Sequence, residues 1–189
     1  MPLNLPNLLT WLRILFIPLM VGVFYLPDGW VKPHEANLLA AAFFGVAALT
    51  DWLDGYLARA LGQTSAFGAF LDPVADKLMV AAALIVLIDL GRVAPLIALI
   101  IIGREITISA LREWMAKEGK SASVAVSFAG KLKTTAQMIA IVLLLYFSPV
   151  AGLPIASIGT LLIWVAALLT LVSMAYYLVM AARALQKTS

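Results

Sequence analysis

Six apolar runs, at residues 8–26, 36–60, 67–90, 93–116, 128–147 and 155–185, take up most of this 189-residue chain. Each is close to the ~20 residues an α-helix needs to cross the hydrocarbon core of a bilayer. Between them stand Pro27-Asp28-Gly29, Gly91-Arg92, Gly119 and Ser148-Pro149 through Pro154, which are turn chemistries rather than helix interiors. Composition removes the soluble alternative: with 63% hydrophobic and 12% charged residues and a mean hydropathy of +1.03, too few polar side chains remain to face water. The expected fold is therefore an all-α integral membrane protein, a bundle of about six transmembrane helices forming one domain over residues 1–189.

Six spans put both termini on one side, and the cationic residues choose that side. Lys32 and Arg92 alone fall on one face. Arg13, Arg59, Lys77, Arg104, Arg112, Lys117, Lys120, Lys131, Lys133, Arg183 and Lys187 lie near the other, which the positive-inside rule makes cytoplasmic. The first run lacks a basic leader, carries Pro18 and has no small-residue cleavage site, so it reads as a retained helix. Absence of cysteine excludes thiolate metal sites, and a single histidine, His34, in a polar turn argues against zinc. Asp28, His34, Glu35 and Asp89, at the opposite face, read as solvated turn residues.

Residues 50–77 read TDWLDGYLARALGQTSAFGAFLDPVADK. Asp51 and Asp54 close one apolar run; Asp72 and Asp76 open the next. At 100° per residue the first pair lies about 60° apart and the second about 40° apart, so each pair occupies one helix face. The short connection makes the two helices antiparallel neighbours, and both pairs then converge at one depth. Unpaired carboxylates gathered near hydrocarbon would cost several kcal/mol each or be forced to protonate. Divalent cations cancel that repulsion, and an all-oxygen donor set favours Mg²⁺ or Mn²⁺, with four carboxylates able to bridge two ions.

Gly55, Ala58 and Gly62 fall within about 100° of the Asp51 and Asp54 face, and Gly68 shares the face of Asp72 and Asp76. Missing side chains there leave a groove that Arg59 borders, suited to a flat base and a diphosphate. Small residues at such spacing also serve close helix packing, and Gly62 and Gly68 fit either role. A cation pathway is the non-enzymatic alternative, but its polar lining should continue through the bilayer, whereas these acids crowd one end.

The string Asp51-x-x-Asp54-Gly55-x-x-Ala58-Arg59, eight further residues, then Gly68-x-x-x-Asp72-x-x-x-Asp76 resembles the signature of the CDP-alcohol phosphotransferases, with every fixed position and gap present. The segments LNLPNLLTWLRI, GAFLDPVADK, GREITISALREWM and GKLKTTAQM are similar to one bacterial branch of that family, and this likeness covers nearly the whole chain. It implies transfer of a phosphatidyl group from CDP-diacylglycerol to glycerol 3-phosphate, with release of CMP, in the bacterial cytoplasmic (inner) membrane. By matching position, Asp51, Asp54 and Asp72 would be metal ligands, Asp76 would touch a metal and act as general base, and Gly55, Ala58 and Arg59 would accommodate the cytidine diphosphate. Implied partners are the two substrates and membrane lipid; nucleic acid is not among them, and a homodimer stays open. Sister enzymes with inositol phosphate, serine or a second lipid as acceptor share the aspartate signature, and intramembrane prenyltransferases also place acid-rich metal sites in helical bundles.

A phosphorylated acceptor needs cations beyond the metal ions. Arg104, Arg112, Lys131 and Lys133 are the candidates, at the cytoplasmic ends of the fourth and fifth runs. Glu105, Ser109 and Arg112 share a face within about 60°, so the acid is placed to orient the arginine. Lysines and arginines near span ends also snorkel to headgroups, which covers Lys117, Lys120, Lys131, Arg183 and Lys187 equally well. Asn7, Thr10 and Arg13 form a polar patch that capping and headgroup contact explain as readily as substrate binding. Trp11, Trp30, Trp52, Trp114, Tyr25 and Tyr146 fit an aromatic belt.

Overall fold

A computed structural model of the chain describes residues 5–61, 66–117 and 128–186, with the side chains at 5–7, 52, 54–61, 66, 67, 69, 128–132 and 184–186 outside that description. Among the described residues the helices are α1 (Leu5–Gly22), α2 (Pro33–Leu61), α3 (Ala66–Asp89), α4 (Pro95–Lys117), α5 (Phe128–Tyr146) and α6 (Ile155–Gln186), with a 3-10 turn at Val23–Tyr25. They follow the six apolar runs closely. The early start of α2 has a local cause: Pro33 takes the first helical position, and the Lys32 amide donates to Glu35 Oε2 at 3.0 Å, half of a capping box. Glu35 is thus a helix cap rather than a solvated turn residue.

Helix neighbours run in a closed ring: α1 packs on α2, α2 on α5, α5 on α6, α6 on α4, α4 on α3 and α3 back on α1, with α3 also reaching α2 and α5. The interior is built largely from small residues. Ala40, Ala41, Ala47, Ala75, Ala83, Ala98, Ala140, Ala166 and Ala167 are buried, while Leu38, Leu49, Ile85, Leu96, Leu99, Leu161, Leu168 and Val172 face outward. Water would make such a surface aggregate; a bilayer makes it the correct one, because lipid tails are as apolar as leucine and close backbone approach is what binds helices together. At Gly159 a Cβ would meet Leu144 Cγ at 2.9 Å, so α6 rests on α5 through a missing side chain. Two helical stretches, Leu8–Tyr25 and Ile155–Arg183, are long and apolar enough to cross a membrane on their own.

One end of the ring is tied shut. Gly91, at φ +67°, ends α3 in a Schellman turn: its amide reaches the Ile88 carbonyl at 2.9 Å, and the Arg92 amide reaches that of Leu87 at 2.8 Å. This aims Arg92 across the ring. Its Nη1 donates to the carbonyls of Leu144 (3.0 Å) and Leu145 (2.9 Å) in the last turn of α5, and Nη2 donates to Asn37 Oδ1 of α2 at 2.8 Å. The guanidinium carbon also sits 4.2 Å from the ring centroid of Phe147. Beside it, His34 Nδ1 lies 2.9 Å from Ser148 Oγ, and the His34 and Tyr146 rings meet edge to face. His34 therefore joins α2 to the end of α5, and Tyr146 has a packing partner in addition to any interfacial role.

Candidate active site

At the other end, helices α2, α4 and α6 finish where α1, α3 and α5 begin, and Asp51, Asp72 and Asp76 of the sequence signature lie there. The start of α1 supplies Thr10 and Arg13, both buried, and Arg13 is fully enclosed at 0% exposure. A guanidinium so placed needs an anion. Its Nη1 lies 2.7 Å from Asp51 Oδ1, while Thr10 Oγ1 donates to Asp72 Oδ1 at 2.5 Å. One helix thus grips an acid from each of its two neighbours. Neither partnership follows from the sequence, which places Thr10 and Arg13 on one face without saying what that face meets.

Asp76 lies one turn beyond Asp72 on α3, within the electrostatic reach of Asp51, Arg13, Glu105 and Lys77. Its Oδ1 is buried and accepts no hydrogen bond. A carboxylate oxygen in that state is what a cation or a substrate proton completes, and the donors around it are oxygens, so the residues fit a hard divalent ion. No three acidic or histidine side chains form a metal cluster among the described residues. Asp54 belongs to the stretch whose side chains lie outside that description, as do Gly55, Ala58, Arg59 and Lys131. Gly62 lies outside the described residues altogether. Gly68 is described and is buried in the first turn of α3.

From Asp76 a cavity of about 220 Å³ extends toward α4, α5 and α6, lined among others by Lys77, Arg104, Glu105, Arg112, Gln137 and Tyr177. Arg104 and Arg112, eight residues and about 80° apart on α4, both reach it. Arg104 Nη1 lies 2.6 Å from Glu105 Oε1, and Lys133 Nζ approaches the same oxygen at 3.7 Å. Lys133 is 1% exposed, too deep to snorkel. The acid therefore holds Arg104 and Lys133. The expectation that Glu105 orients Arg112 is corrected: Arg112 stands over the Tyr177 ring, 5.6 Å from its centroid.

The cavity's polar wall is incomplete. Arg104 Nε, Arg112 Nε and Asp76 Oδ1 all line it without a hydrogen-bond partner, and the buried Lys133 Nζ makes none either. Three such atoms of mixed charge around one space, with a fourth buried in the same region, are expensive unless a ligand completes them. A second, apolar crevice of about 150 Å³ adjoins it between α3 and α4, sharing Lys77, Val80 and Glu105 and continuing past Leu78 and Ile106 to the exterior. Gln137 and Tyr177 are the site residues that sequence reasoning missed. Tyr177 is one aromatic in a long apolar run, and only the packing of α6 on α4 reveals its position.

Comparison with known proteins identifies the family. The family model for CDP-alcohol phosphatidyltransferase matches residues 3–172. CDP-diacylglycerol–glycerol-3-phosphate 3-phosphatidyltransferase of Salmonella choleraesuis is 49% identical over 180 residues, covering 94% of each chain. The protein of the same description from Shigella flexneri serotype 5b is 51% identical over 180 residues, again 94% of each, and that from Sodalis glossinidius 52% identical over 182 residues, also 94% of each. A signature split between two helices, an acid with an open oxygen beside a cationic cavity, and a match along almost the whole length agree: this chain belongs to the CDP-alcohol phosphatidyltransferase family.

Proposed function

We infer that the chain transfers the phosphatidyl group of CDP-diacylglycerol to glycerol 3-phosphate, giving phosphatidylglycerophosphate and CMP. One observation carries the reading: Asp76, with its unpartnered oxygen, opens into the same small cavity as Arg104 and Arg112. A base and a phosphate-binding pair within one space of about 220 Å³ suit a short polyol phosphate. Glycerol 3-phosphate places its phosphate against Arg104, Arg112 and Lys133, with Lys131 at the mouth, and its free hydroxyl toward Asp76. Glu105 keeps two of these cations in place without neutralising Arg112.

Asp76 takes the proton as the hydroxyl oxygen bonds to the lipid-side phosphorus, and the bond from that phosphorus to CMP breaks, CMP leaving with the electron pair. Asp51, Asp54, Asp72 and Asp76 are the residues that would hold Mg²⁺ or Mn²⁺, two ions in all, and bound ions supply neutralisation of the diphosphate charge. Thr10 and Arg13 hold the carboxylates of Asp72 and Asp51 in place. Gly55, Ala58, Arg59 and Gly68 receive the cytidine diphosphate, while the apolar crevice between α3 and α4 accepts the lipid portion. The six helices cross the bacterial cytoplasmic membrane with both termini and the catalytic end on the cytoplasmic side, where water-soluble glycerol 3-phosphate and CMP exchange freely.

The test is a product assay. Purified protein in detergent receives labelled CDP-diacylglycerol, Mg²⁺ and one acceptor at a time. Phosphatidylglycerophosphate and CMP should appear only with glycerol 3-phosphate; lipid products with inositol phosphate or serine instead would reassign the acceptor, and release of pyrophosphate would remove the family chemistry.

A further inference from the structure

At the end of the ring remote from Asp76, an open groove of about 540 Å³ is lined by Gly91, Arg92, Phe147, Ala156, Ser157, Thr160, Leu161 and Trp164. Arg92 and Ser157 contribute its cation and a hydroxyl, and Leu161 and Trp164, 66% and 54% exposed, carry an apolar lining along the outer face of α6. From Ser157 to Trp164 the helix rises about 10 Å, which spans a headgroup and the upper part of an acyl chain.

Arg92 has more capacity than its contacts use. A guanidinium carries five N–H donors. Three are engaged, by Leu144, Leu145 and Asn37, which leaves two. All three partners are neutral, and no carboxylate pairs with Arg92 among the described residues. The positive charge is held by neutral partners in the same groove as Ser157, an exposed residue whose hydroxyl makes no hydrogen bond among the described residues. Arginine with two free donors and a neighbouring hydroxyl is phosphate-binding chemistry. Charge complementarity and the apolar continuation together select the occupant. A free anion would need no wall of leucine and tryptophan, and a neutral lipid would need no cation.

We propose that this groove binds the phosphate of an anionic phospholipid from the leaflet opposite the catalytic end. The inference rests on the chain being embedded in a bilayer, not on the reaction it catalyses. Bound there, the lipid phosphate completes Arg92 and its acyl chain lies along Leu161 and Trp164. The enzyme's product class is anionic phospholipid, so the site places the far end of the bundle in contact with the pool the reaction feeds.

The experiment uses full-length protein in phosphatidylcholine nanodiscs containing phosphatidylglycerol with a photoreactive acyl chain. Labelled peptides are mapped after illumination, and transferase activity is measured on the same samples. Labelling should concentrate on residues 156–164 and fall about fivefold when unlabelled phosphatidylglycerol is added, an effect the size expected of one cation near a membrane surface. Thr160→Trp, which fills the groove without touching the Arg92 contacts, should reduce labelling similarly while activity persists. Equal labelling by a phosphatidylcholine probe, displacement by inorganic phosphate, unchanged labelling in the Thr160 variant, or a chain-to-chain crosslink at this peptide would each overturn the proposal. Loss of activity in unmodified protein with labelling intact would count against the reaction and leave the lipid site standing.

Discussion

The two ends of the helical ring handle cationic side chains in opposite ways. Arg92, at the far end, commits three of its five donors to two α5 carbonyls and to Asn37 of α2, and so ties α2, α3 and α5 together. Arg104 and Arg112, at the other end, each bury a nitrogen that has no hydrogen-bond partner among the described residues, around a cavity that also holds the open oxygen of Asp76. Burying polar atoms without partners costs about 1–3 kcal/mol apiece. A bundle that accepts this cost at one end needs an anchor elsewhere, and the far end supplies it. The tied end and the end with the open polar cavity are thus opposite ends of the ring.

The comparison breaks first, if it breaks, at Asp76. Asp76→Asn keeps size and helix geometry while removing the base, so CMP release should fall by about 10²- to 10⁴-fold with little change in thermal stability. Turnover close to that of the unmodified protein would move the general base elsewhere. A smaller effect is expected at Arg112→Lys, which keeps the charge and loses the planar fork: the KM for glycerol 3-phosphate should rise about tenfold while that for CDP-diacylglycerol stays put. Equal changes in both would mean that Arg112 does not discriminate the acceptor.

Thr10 tests the grip of α1 on the acids. Thr10→Val preserves shape but withdraws the hydrogen bond to Asp72 Oδ1. The Mg²⁺ concentration for half-maximal activity should then increase, by up to about tenfold, since a partner that orients a ligand commonly matters on that scale. Titrating Mg²⁺ at saturating substrates measures it. An unchanged midpoint would make the Thr10 contact a packing feature.

These residues also mark what a sequence can and cannot express. Hydropathy is a local property, so the six helices are legible from their runs, and acids inside apolar stretches are costly enough that Asp51, Asp72 and Asp76 announce a site. Faces are legible too: Glu105 and Arg112 share one, as do Thr10 and Arg13. The neighbour that each face meets is not, because it depends on how six helices close into a ring. Hence Arg13 finds Asp51, and Glu105 finds Lys133 instead of Arg112. Lys133 and Lys131 look alike in the sequence, yet Lys133 is 1% exposed and cannot be a headgroup contact. Arg92 reads as one of two cations on the sparse side, while its partners lie more than fifty positions away in either direction.

Arg92 itself gives the sharpest version of the comparison, with the smallest expected effect on turnover. Arg92→Met retains an unbranched side chain and removes every donor, leaving the Leu144 and Leu145 carbonyls and Asn37 Oδ1 without their partner. Phe147, held at φ 61° where a residue other than glycine is disfavoured, loses the cation stacked on its ring. The combined loss should be about 1–3 kcal/mol, seen as a melting temperature several degrees lower in detergent. At low temperature kcat/KM should stay within about twofold, because sites this far apart are ordinarily independent. If turnover dropped while melting stayed the same, the anchor would be communicating with Asp76 along α3, and the division between a structural and a reactive end would fail.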